Sequence, residues 1–291
     1  MITTELKQRI VTQLAERRNN FPGSDAKFAV SIGINNAQYS RIKNGETERV
    51  ISDQNWMSLA RICEIPIGNQ PVWNIARTPV FEFITGQLQF CQQNAASRLL
   101  CDIADIGKTF SARAYVRSHK NAVYVDCSQV KTRQKLVRFI AKEFGVGHTG
   151  KYSDVYADLV FYLRSLPSPL IILDEAGDLV YDAFLELKAL WNATEKCTGW
   201  YMMGADGLKE KIRRSIDQKK VGYTEMFSRY GSRYQKTSPD GNEEMQRFKS
   251  VHAALIIKAN TPSGCNINIQ QMIAQTDYSL RRIQDELRKI S

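Results

Sequence analysis

The sequence predicts an α/β core with a parallel sheet and flanking helices, placed between two all-helical segments. In the middle of the chain, short apolar runs typical of strands alternate with helical segments, which is the pattern of βαβ units. Before about residue 66 and after about residue 242, apolar residues recur with a helical period and without strand-like runs. The four strand-like runs are 98–101, 122–126, 170–174 and 200–204. The predicted domains are 1–66 (helical), 67–80 (a linker), 81–241 (the α/β core) and 242–291 (a small helical lid).

The linker is predicted from residues that stop helices. Pro66, Gly68 and Pro71 lie close together, and Thr78 and Pro79 precede the next apolar segment. Proline removes a helical hydrogen bond and its ring clashes with the preceding turn. No helix is therefore expected to cross this stretch.

The composition favours a globular protein. Of the 291 residues, 43% are hydrophobic and 24% are charged, which are ordinary values for globular chains. No apolar run reaches the ~18 residues needed to span a bilayer, and the N-terminal stretch lacks the apolar centre of a signal peptide. We therefore expect a cytoplasmic protein without a membrane partner. The six scattered cysteines show neither a C-x-x-C pair nor zinc spacing, and we expect them to be buried thiols.

Positive charge is concentrated toward the C-terminus. The chain carries a net charge of +10, and residues 207–291 contribute +7 of it. An excess of this kind favours a polyanionic partner without saying which one.

Residues 25–62 predict two short helices joined at Gly33, followed by a third helix. A helix-turn-helix needs this arrangement, because the first helix braces a second one whose polar side chains enter the major groove. With Asn44-Gly45 after the second helix, the segment resembles the repressor-type helix-turn-helix family. The resemblance implies DNA contacts from Asn35, Asn36, Gln38, Tyr39, Arg41 and Lys43. A helical docking module without DNA contact is the alternative.

A phosphate-binding loop is predicted where the first strand-like run ends and a helix begins. Gly107, Lys108 and Thr109 match the end of the pattern G-x-x-x-x-G-K-[ST]. In such a loop backbone N–H groups hold phosphates, the lysine reaches the β and γ phosphates, and the threonine hydroxyl ligates Mg²⁺. The predicted ATP-binding residues are Asp102, Ile103, Ala104, Asp105, Ile106, Gly107, Lys108, Thr109 and Phe110.

Two carboxylates in this loop depart from the pattern. Asp102 stands where the first glycine belongs, and Asp105 adds a second acid. Each negative charge close to a triphosphate is expected to oppose binding by about 1 kcal/mol in water, and by more where solvent is excluded. Nucleotide binding and hydrolysis are therefore expected to be weakened, and their loss is an open alternative.

A second motif supports a P-loop NTPase. The buried apolar run 170–173 ends in Asp174 and Glu175, an expensive place for two acids unless they serve a cation or a water molecule. The run looks like a Walker B motif, which implies that Asp174 helps Thr109 to hold Mg²⁺ and that Glu175 polarises the attacking water.

Further residues follow in the order found in AAA+ ATPases, which the core resembles. Asp206 follows the last strand-like run, where that family carries a γ-phosphate sensor. Arg229 and Arg233 follow a helical stretch, where the family carries an arginine that acts on the nucleotide of a neighbouring subunit. Arg281 opens the last helix, at the place of a lid arginine. A guanidinium at either place would stabilise charge on the transferring phosphoryl group. Which of Arg229 and Arg233 acts in trans stays open.

The order of domains resembles one family in particular. A helix-turn-helix-like domain, a linker, an AAA+ core and a short basic lid occur together in the target-selecting ATPases of DNA transposition, the family of phage Mu B protein. The resemblance implies ATP-driven homo-oligomers or filaments on double-stranded DNA without strong sequence preference. It also implies recruitment of a transposase, and hydrolysis stimulated by DNA.

Two basic clusters are candidates for such DNA contacts. Lys131, Arg133 and Lys135 lie at the start of a helix, where side chains and helix amides meet phosphates. A second cluster occupies 209–214, with Lys219 and Lys220 behind it. A solvated helix face is the alternative at both.

Two other functions fit the same sequence. A helicase loader or replication initiator shares the AAA+ core but acts through a helicase or an origin sequence. A nucleotide-independent regulator would use the helix-turn-helix alone, with Asp102 and Asp105 having abolished nucleotide binding.

Overall fold

The computed structural model describes residues 2–63, 65, 73–262 and 264–290, and it confirms the predicted α/β class. The N-terminal part forms helices α1 (Thr4–Asn20), α2 (Asp25–Ile32), α3 (Asn36–Lys43) and α4 (Asp53–Ile62). At each N-cap a side-chain oxygen accepts a hydrogen bond from a backbone N–H of the first turn; these caps are Thr3, Ser24, Asn35 and Ser52. The caps satisfy donors that a helix leaves unpaired, which fixes where each helix begins.

Apolar side chains of these helices form one small core. Ile10, Phe28, Trp56 and Leu59 are fully buried together. Gly33 ends α2 with φ +76°, a left-handed conformation that glycine adopts without a steric penalty.

The predicted linker lies partly outside the described residues, which do not include its Pro66, Gly68 and Pro71. The description resumes at Trp73 and continues into helix α5 (Pro79–Asn94). Thr78 caps that helix through its side chain, and Pro79 takes a first-turn position where its missing N–H costs nothing.

The sheet consists of four parallel strands in the spatial order β1-β4-β3-β2. They are β1 (Ser97–Cys101), β2 (Ala122–Asp126), β3 (Leu170–Asp174) and β4 (Gly199–Gly204), and each agrees with a predicted run to within one residue. The connecting helices are α6 (Lys108–Ser118), α7 (Arg133–Glu143), α8 (Tyr152–Ser165), α9 (Tyr181–Ala193), α10 (Asp206–Asp217) and α11 (Tyr223–Arg229), with a 3-10 turn at Ala176–Asp178.

Both faces of the sheet are covered by helices. Leu99 and Leu173 point into a cluster formed with α7 to α11, whereas Leu100 and Ile172 point into a cluster formed with α5 and α6. Successive side chains of a strand face opposite sides, so a strand buried on both faces must be apolar throughout. This is why the sequence shows β3 as an unbroken apolar run.

A short segment extends the sheet beyond β1, and the sequence analysis predicted no strand there. The N–H of Gln235 donates to the carbonyl of Leu99 (2.8 Å), and the carbonyl of Gln235 accepts from the N–H of Cys101 (3.0 Å). A single pair of bonds leaves no sequence period to detect.

The C-terminal segment predicted as a lid, called the lid below, forms α12 (Asn242–Asn260), α13 (Ile269–Thr276) and α14 (Leu280–Ile290). Ile257, Met272, Ile283 and Leu287 form its own small core. In the part of the chain that the structure describes, no helix is both long and apolar enough to cross a membrane.

The N-terminal helices are docked on the α/β core. Arg17 forms an ion pair with Glu143 (2.9 Å), and the hydroxyl of Tyr162 donates to the carbonyl of Pro22 (2.7 Å). The ammonium of Lys27 lies 3.9 Å from the centre of the Tyr162 ring. Helix α1 is thereby held against the core beside α6.

The cysteines only partly follow the prediction. Cys91, Cys101 and Cys127 are buried, whereas the other three are half-buried. Burial raises the pKa of Cys91 and of Cys101 to about 12, so these two thiols stay protonated at neutral pH.

Candidate functional site

A cavity of about 910 Å³ opens at the carboxyl ends of the strands, between the core, the lid and helix α1. Ligands of open parallel sheets bind at this edge. Of the predicted ATP-binding residues, Ala104, Asp105, Ile106, Gly107, Lys108, Thr109, Phe110 and Arg281 line the cavity. Asp102 and Ile103 lie at the start of the loop and do not line it.

The loop ends at Gly107, whose φ of +86° precedes the first residue of α6. The N-terminal N–H groups of α6 therefore face the cavity, where they favour an anion. The ammonium of Lys108 is buried and donates to the carbonyls of Asp102 (2.9 Å) and Ile103 (2.5 Å). Burial lowers the pKa of Lys108, while the nearby Asp102 and Asp174 oppose this shift. The lysine is thus held at the centre of the loop.

Asp102 does not present its charge to the cavity, contrary to the expectation that it would oppose a triphosphate there. Its carboxylate is 1% exposed and accepts five hydrogen bonds, from Ile103, Thr237 and Ser238. Burial alone would raise the pKa of Asp102, but the hydrogen bonds from Ser238 and Thr237 hold it below its ordinary value. The residue joins the loop to the segment that pairs with β1.

Asp105 has partners too, and they belong to the lid. Its carboxylate accepts hydrogen bonds from the hydroxyl of Ser279 (2.8 Å) and the N–H of Leu280 (3.0 Å). The Nε of Arg281 lies 3.9 Å from the other carboxylate oxygen. The charge of Asp105 is therefore compensated by the lid in part, rather than facing the cavity alone.

The two motifs meet at the end of β3. The hydroxyl of Thr109 donates to the carboxylate of Asp174 (2.6 Å), and the hydroxyl of Tyr124 donates to the same oxygen (2.8 Å). Mg²⁺ prefers oxygen ligands and is usually bound by one or two protein groups together with substrate phosphates. A threonine hydroxyl and a buried carboxylate at the phosphate loop fit that ion.

Glu175 lines the cavity beside this pair. It directly follows the end of β3, and its φ of +48° is unusual for a residue with a side chain. The side chain of Glu175 is exposed at the cavity; its partial desolvation and the adjacent Asp174 raise its pKa, and Lys108 opposes them. A raised pKa suits a carboxylate that accepts a proton.

The predicted arginines occupy different surroundings. Arg281 lines the cavity, with a side chain 87% exposed. Neither Arg229 nor Arg233 lines the cavity, and nor does the proposed sensor Asp206. Arg229 is half-buried with its guanidinium 4.8 Å from the centre of the Trp191 ring, whereas Arg233 is exposed.

Sequence reasoning missed several cavity residues. His252 of α12 and Arg113 of α6 line the cavity, as do Arg9 and Thr12 of α1. For Arg113 a signal existed, because it lies four residues after Thr109 and so shares its helix face. His252 and Arg9 are brought in from helices α12 and α1, which follow and precede the α/β core, and no local motif records this.

His252 is one of the buried polar residues that line the cavity. It is 4% exposed, and within the described part of the chain neither ring nitrogen makes a well-aligned hydrogen bond. Burial lowers the pKa of His252, against smaller opposing effects of the Ile106 backbone and of Asp105. An orphaned ring of this kind suits contact with a bound ligand.

We expect His252 to make the folded protein sensitive to mild acid. Its folded pKa lies below the unfolded value of about 6.5, so the unfolded chain binds the proton first and the free energy of unfolding falls as the pH drops below about 6.5. His252→Leu should flatten this part of the stability curve. Thermal unfolding of both proteins from pH 7.5 to 5.5 measures the difference, and parallel curves would contradict the assignment.

The predicted DNA-contacting residues of α3 are not all available. Asn35, Asn36, Arg41 and Lys43 are exposed. Arg41 pairs with Glu46 (2.8 Å), Lys43 pairs with Asp25 (2.9 Å), and the half-buried Gln38 forms a capping box with Asn35. The remaining candidates are therefore exposed side chains on or beside one helix.

The expectation that Tyr39 contacts DNA is corrected by its burial. Its side chain is 2% exposed and packs edge-on against Phe28, with ring centres 5.1 Å apart. The ring belongs to the core that holds α2 against α3, so Tyr39 does not reach bases.

The residues of the two basic clusters also differ in their exposure and in their partners. Lys131, Arg133 and Lys135 are exposed at the start of α7, where Lys131 pairs with Asp178 (2.9 Å). In the second cluster, Lys211 donates to the carbonyls of Gly177 and Leu179, both at 2.6 Å. That lysine braces the segment after β3 and is not a free surface charge.

Comparison with known proteins agrees with this geometry. No curated protein matches the chain. The matching family model is described as an AAA domain, and it covers residues 93–212, from the end of α5 into α10. This segment contains the phosphate loop, Asp174 and Glu175. The core of the chain is therefore similar to AAA domains and is consistent with a P-loop ATPase family.

Proposed function

We propose that this protein is an ATP-dependent, largely sequence-nonspecific DNA-binding ATPase that oligomerises on double-stranded DNA and recruits a transposase. The observation that carries the ATPase part is the 2.6 Å contact between Thr109 and Asp174 at the cavity, with Glu175 beside it. DNA binding, oligomers and the transposase rest on the resemblance and on the exposed cations of α3 and α7.

The proposal assigns roles to the phosphate loop, to Asp174 and Glu175, and to Arg281. The N–H groups of α6 and the ammonium of Lys108 hold the phosphates of ATP. Thr109 and Asp174 hold Mg²⁺, which neutralises charge on the phosphates when it is bound. Glu175 orients the attacking water and accepts its proton, and Arg281 stabilises charge that develops on the γ-phosphate.

The arginine that acts in trans is assigned to Arg233. Its side chain is exposed, whereas Arg229 stacks on Trp191 within the same chain. An arginine already held by an indole ring would lose that cation–π contact on reaching a neighbour. A neighbouring subunit in an oligomer would therefore meet Arg233 first.

Helix α1 offers a route from the nucleotide to the helix-turn-helix. Arg9 and Thr12 line the cavity, and the same helix packs into the N-terminal core that supports α3. A ligand that contacts α1 can therefore favour one placement of α3 over another, provided it binds the two placements with different affinity. This would make DNA binding depend on ATP.

The test is fluorescence anisotropy with a random-sequence duplex, without nucleotide, with ADP, and with ATP and Mg²⁺. We expect ATP with Mg²⁺, but not ADP, to raise the affinity for DNA at least about tenfold. We also expect that affinity to fall at least about tenfold between about 50 and 200 mM salt. Lys108→Ala should abolish the ATP effect, and Lys120→Ala, an exposed lysine beyond α6, should keep it. Replacing Lys131, Arg133 and Lys135 together should weaken binding and reduce its salt dependence.

Other outcomes favour the other functions. Affinity that does not respond to nucleotide would contradict the proposal and favour a regulator that uses the helix-turn-helix alone. A helicase gene beside this gene would favour a helicase loader, and a transposase gene would support the proposal. Recruitment itself is tested by adding that purified transposase to the DNA-bound protein.

A further inference from the structure

Asp105 connects the phosphate loop directly to the first turn of the lid helix α14. The hydroxyl of Ser279 and the N–H of Leu280 both donate to one of its carboxylate oxygens, at 2.8 and 3.0 Å. Ser279 lies 174 residues further along the chain, so the contact crosses from one domain to another. A carboxylate at a helix N-terminus satisfies a free N–H and is favoured by the helix dipole.

The backbone on both sides of this contact is in a conformation that side chains disfavour. Asp105 has φ +60°, and the two residues before Ser279, Asp277 and Tyr278, have φ +49° and +60°. A bulky residue such as Tyr278 pays a steric penalty in the left-handed region, and such a turn persists only where the surroundings hold it. The hydrogen bonds of Asp105 lie immediately after this turn and help to hold it.

The held turn determines where Arg281 lies. Arg281 follows Leu280 directly, and its side chain is 87% exposed and lines the cavity. Its Nε lies 3.9 Å from Asp105, a long distance for an ion pair. Its position is set mainly by its backbone, that is, by the first turn of α14.

We propose that Asp105 is a positioning residue for hydrolysis: it ties α14 to the phosphate loop and so keeps Arg281 directed at the phosphates. This inference rests on the proposed ATPase function. It also assigns a role to an acid that the sequence alone presents only as a repulsive charge. Two effects then act in opposite directions, because the tie supports the catalytic step and the charge opposes nucleotide binding.

The two effects can be separated by two substitutions. Asp105→Ala removes both the tie and the charge. Asp105→Asn removes the charge but keeps an oxygen that accepts from Ser279 and Leu280, and asparagine tolerates a positive φ. We expect Asp105→Ala to lower kcat about tenfold. Asp105→Asn should lower kcat much less, and its KM for ATP should be below that of the wild type.

A double-mutant cycle tests whether Asp105 acts through Arg281. If it does, Arg281→Ala and the Asp105→Ala/Arg281→Ala double variant should have the same kcat to within about twofold. Ser279→Ala, which removes one of the two hydrogen bonds, should lower kcat less than Asp105→Ala. Multiplicative losses, or equal kcat values for the Ala and Asn variants, would overturn the proposal.

A second readout does not depend on hydrolysis. Backbone hydrogen exchange over 280–284 should speed up at least about fivefold in Asp105→Ala and stay near the wild-type rate in Asp105→Asn. Unchanged exchange in Asp105→Ala would show that no tie exists. If the wild type hydrolyses ATP but Asp105→Ala keeps its kcat, this inference alone fails; a wild type without hydrolysis overturns the proposed function and this inference together.

Discussion

Replacing Glu175 with glutamine is expected to lower kcat for ATP hydrolysis by about 10²–10³-fold while ATP binding stays close to that of the wild type. Glu175 lines the cavity next to the Thr109–Asp174 pair, and partial desolvation together with the adjacent Asp174 raises its pKa. Glutamine has the same shape but cannot accept a proton from water. Steady-state hydrolysis and equilibrium binding of ATP measure the two quantities separately.

The control for this variant is Asp178→Asn. Asp178 lies three residues further along, is exposed, and pairs with Lys131 on the surface rather than lining the cavity. Its replacement should leave kcat within about twofold, since surface ion pairs contribute little. Full hydrolysis in Glu175→Gln would exclude Glu175 as the proton acceptor.

ATP-dependent DNA binding should persist in Glu175→Gln and outlast that of the wild type.

The raised pKa of Glu175 also has a consequence for the pH profile. A proton acceptor must be ionised in the free enzyme, so kcat/KM should fall as the pH drops through its pKa. Because that pKa is raised, the fall should begin at a higher pH than for an ordinary glutamate.

The sequence predicted the sheet and the meeting of its two motifs well, and the reason is physical. Strands covered on both faces must be apolar, so β3 appears as an uninterrupted apolar run. Parallel strands end at one edge of the sheet, so the residues that follow β1 and β3 lie at the same edge, although β4 separates the two strands. The resemblance of the two motifs to those of P-loop NTPases implied that Thr109 and Asp174 act together, and the structure joins them at 2.6 Å.

The surroundings of the loop acids could not be predicted in the same way. Asp102 and Asp105 have partners 135 or more residues away, in the segment after α11 and in the lid. Local sequence shows a charge but not its partner, so both acids were expected to repel phosphate. His252 was missed for the same reason, since only the packing of the lid brings it to the cavity.

Tyr39 could have been assigned correctly from its spacing. It lies three residues before Ile42, and residues three apart share one face of a helix. Both are buried in the N-terminal core. The resemblance to repressor-type helices favoured a DNA contact, whereas helical periodicity favoured burial, and periodicity reports the packing of this chain directly.

Asp102→Gly is expected to lower the free energy of unfolding by about 3–5 kcal/mol, although it restores the glycine of the usual phosphate-loop pattern. The substitution leaves the N–H groups of the half-buried Thr237 and the buried Ser238 without their acceptor. It also adds backbone freedom that folding must remove. The melting temperature should fall by about 10 °C.

Asp240→Asn is the matched control, because Asp240 lies in the same segment but is exposed and pairs with Lys236 on the surface. Its melting temperature should stay within about 2 °C of the wild type. If Asp102 were only a repulsive charge in a degraded loop, Asp102→Gly would bind ATP more tightly without loss of stability. If the carboxylate instead joins the loop to the segment beyond Arg233, the glycine variant should lose stability and bind ATP no more tightly. Thermal unfolding with and without ATP therefore decides whether the aspartate is a defect of this phosphate loop or part of its structure.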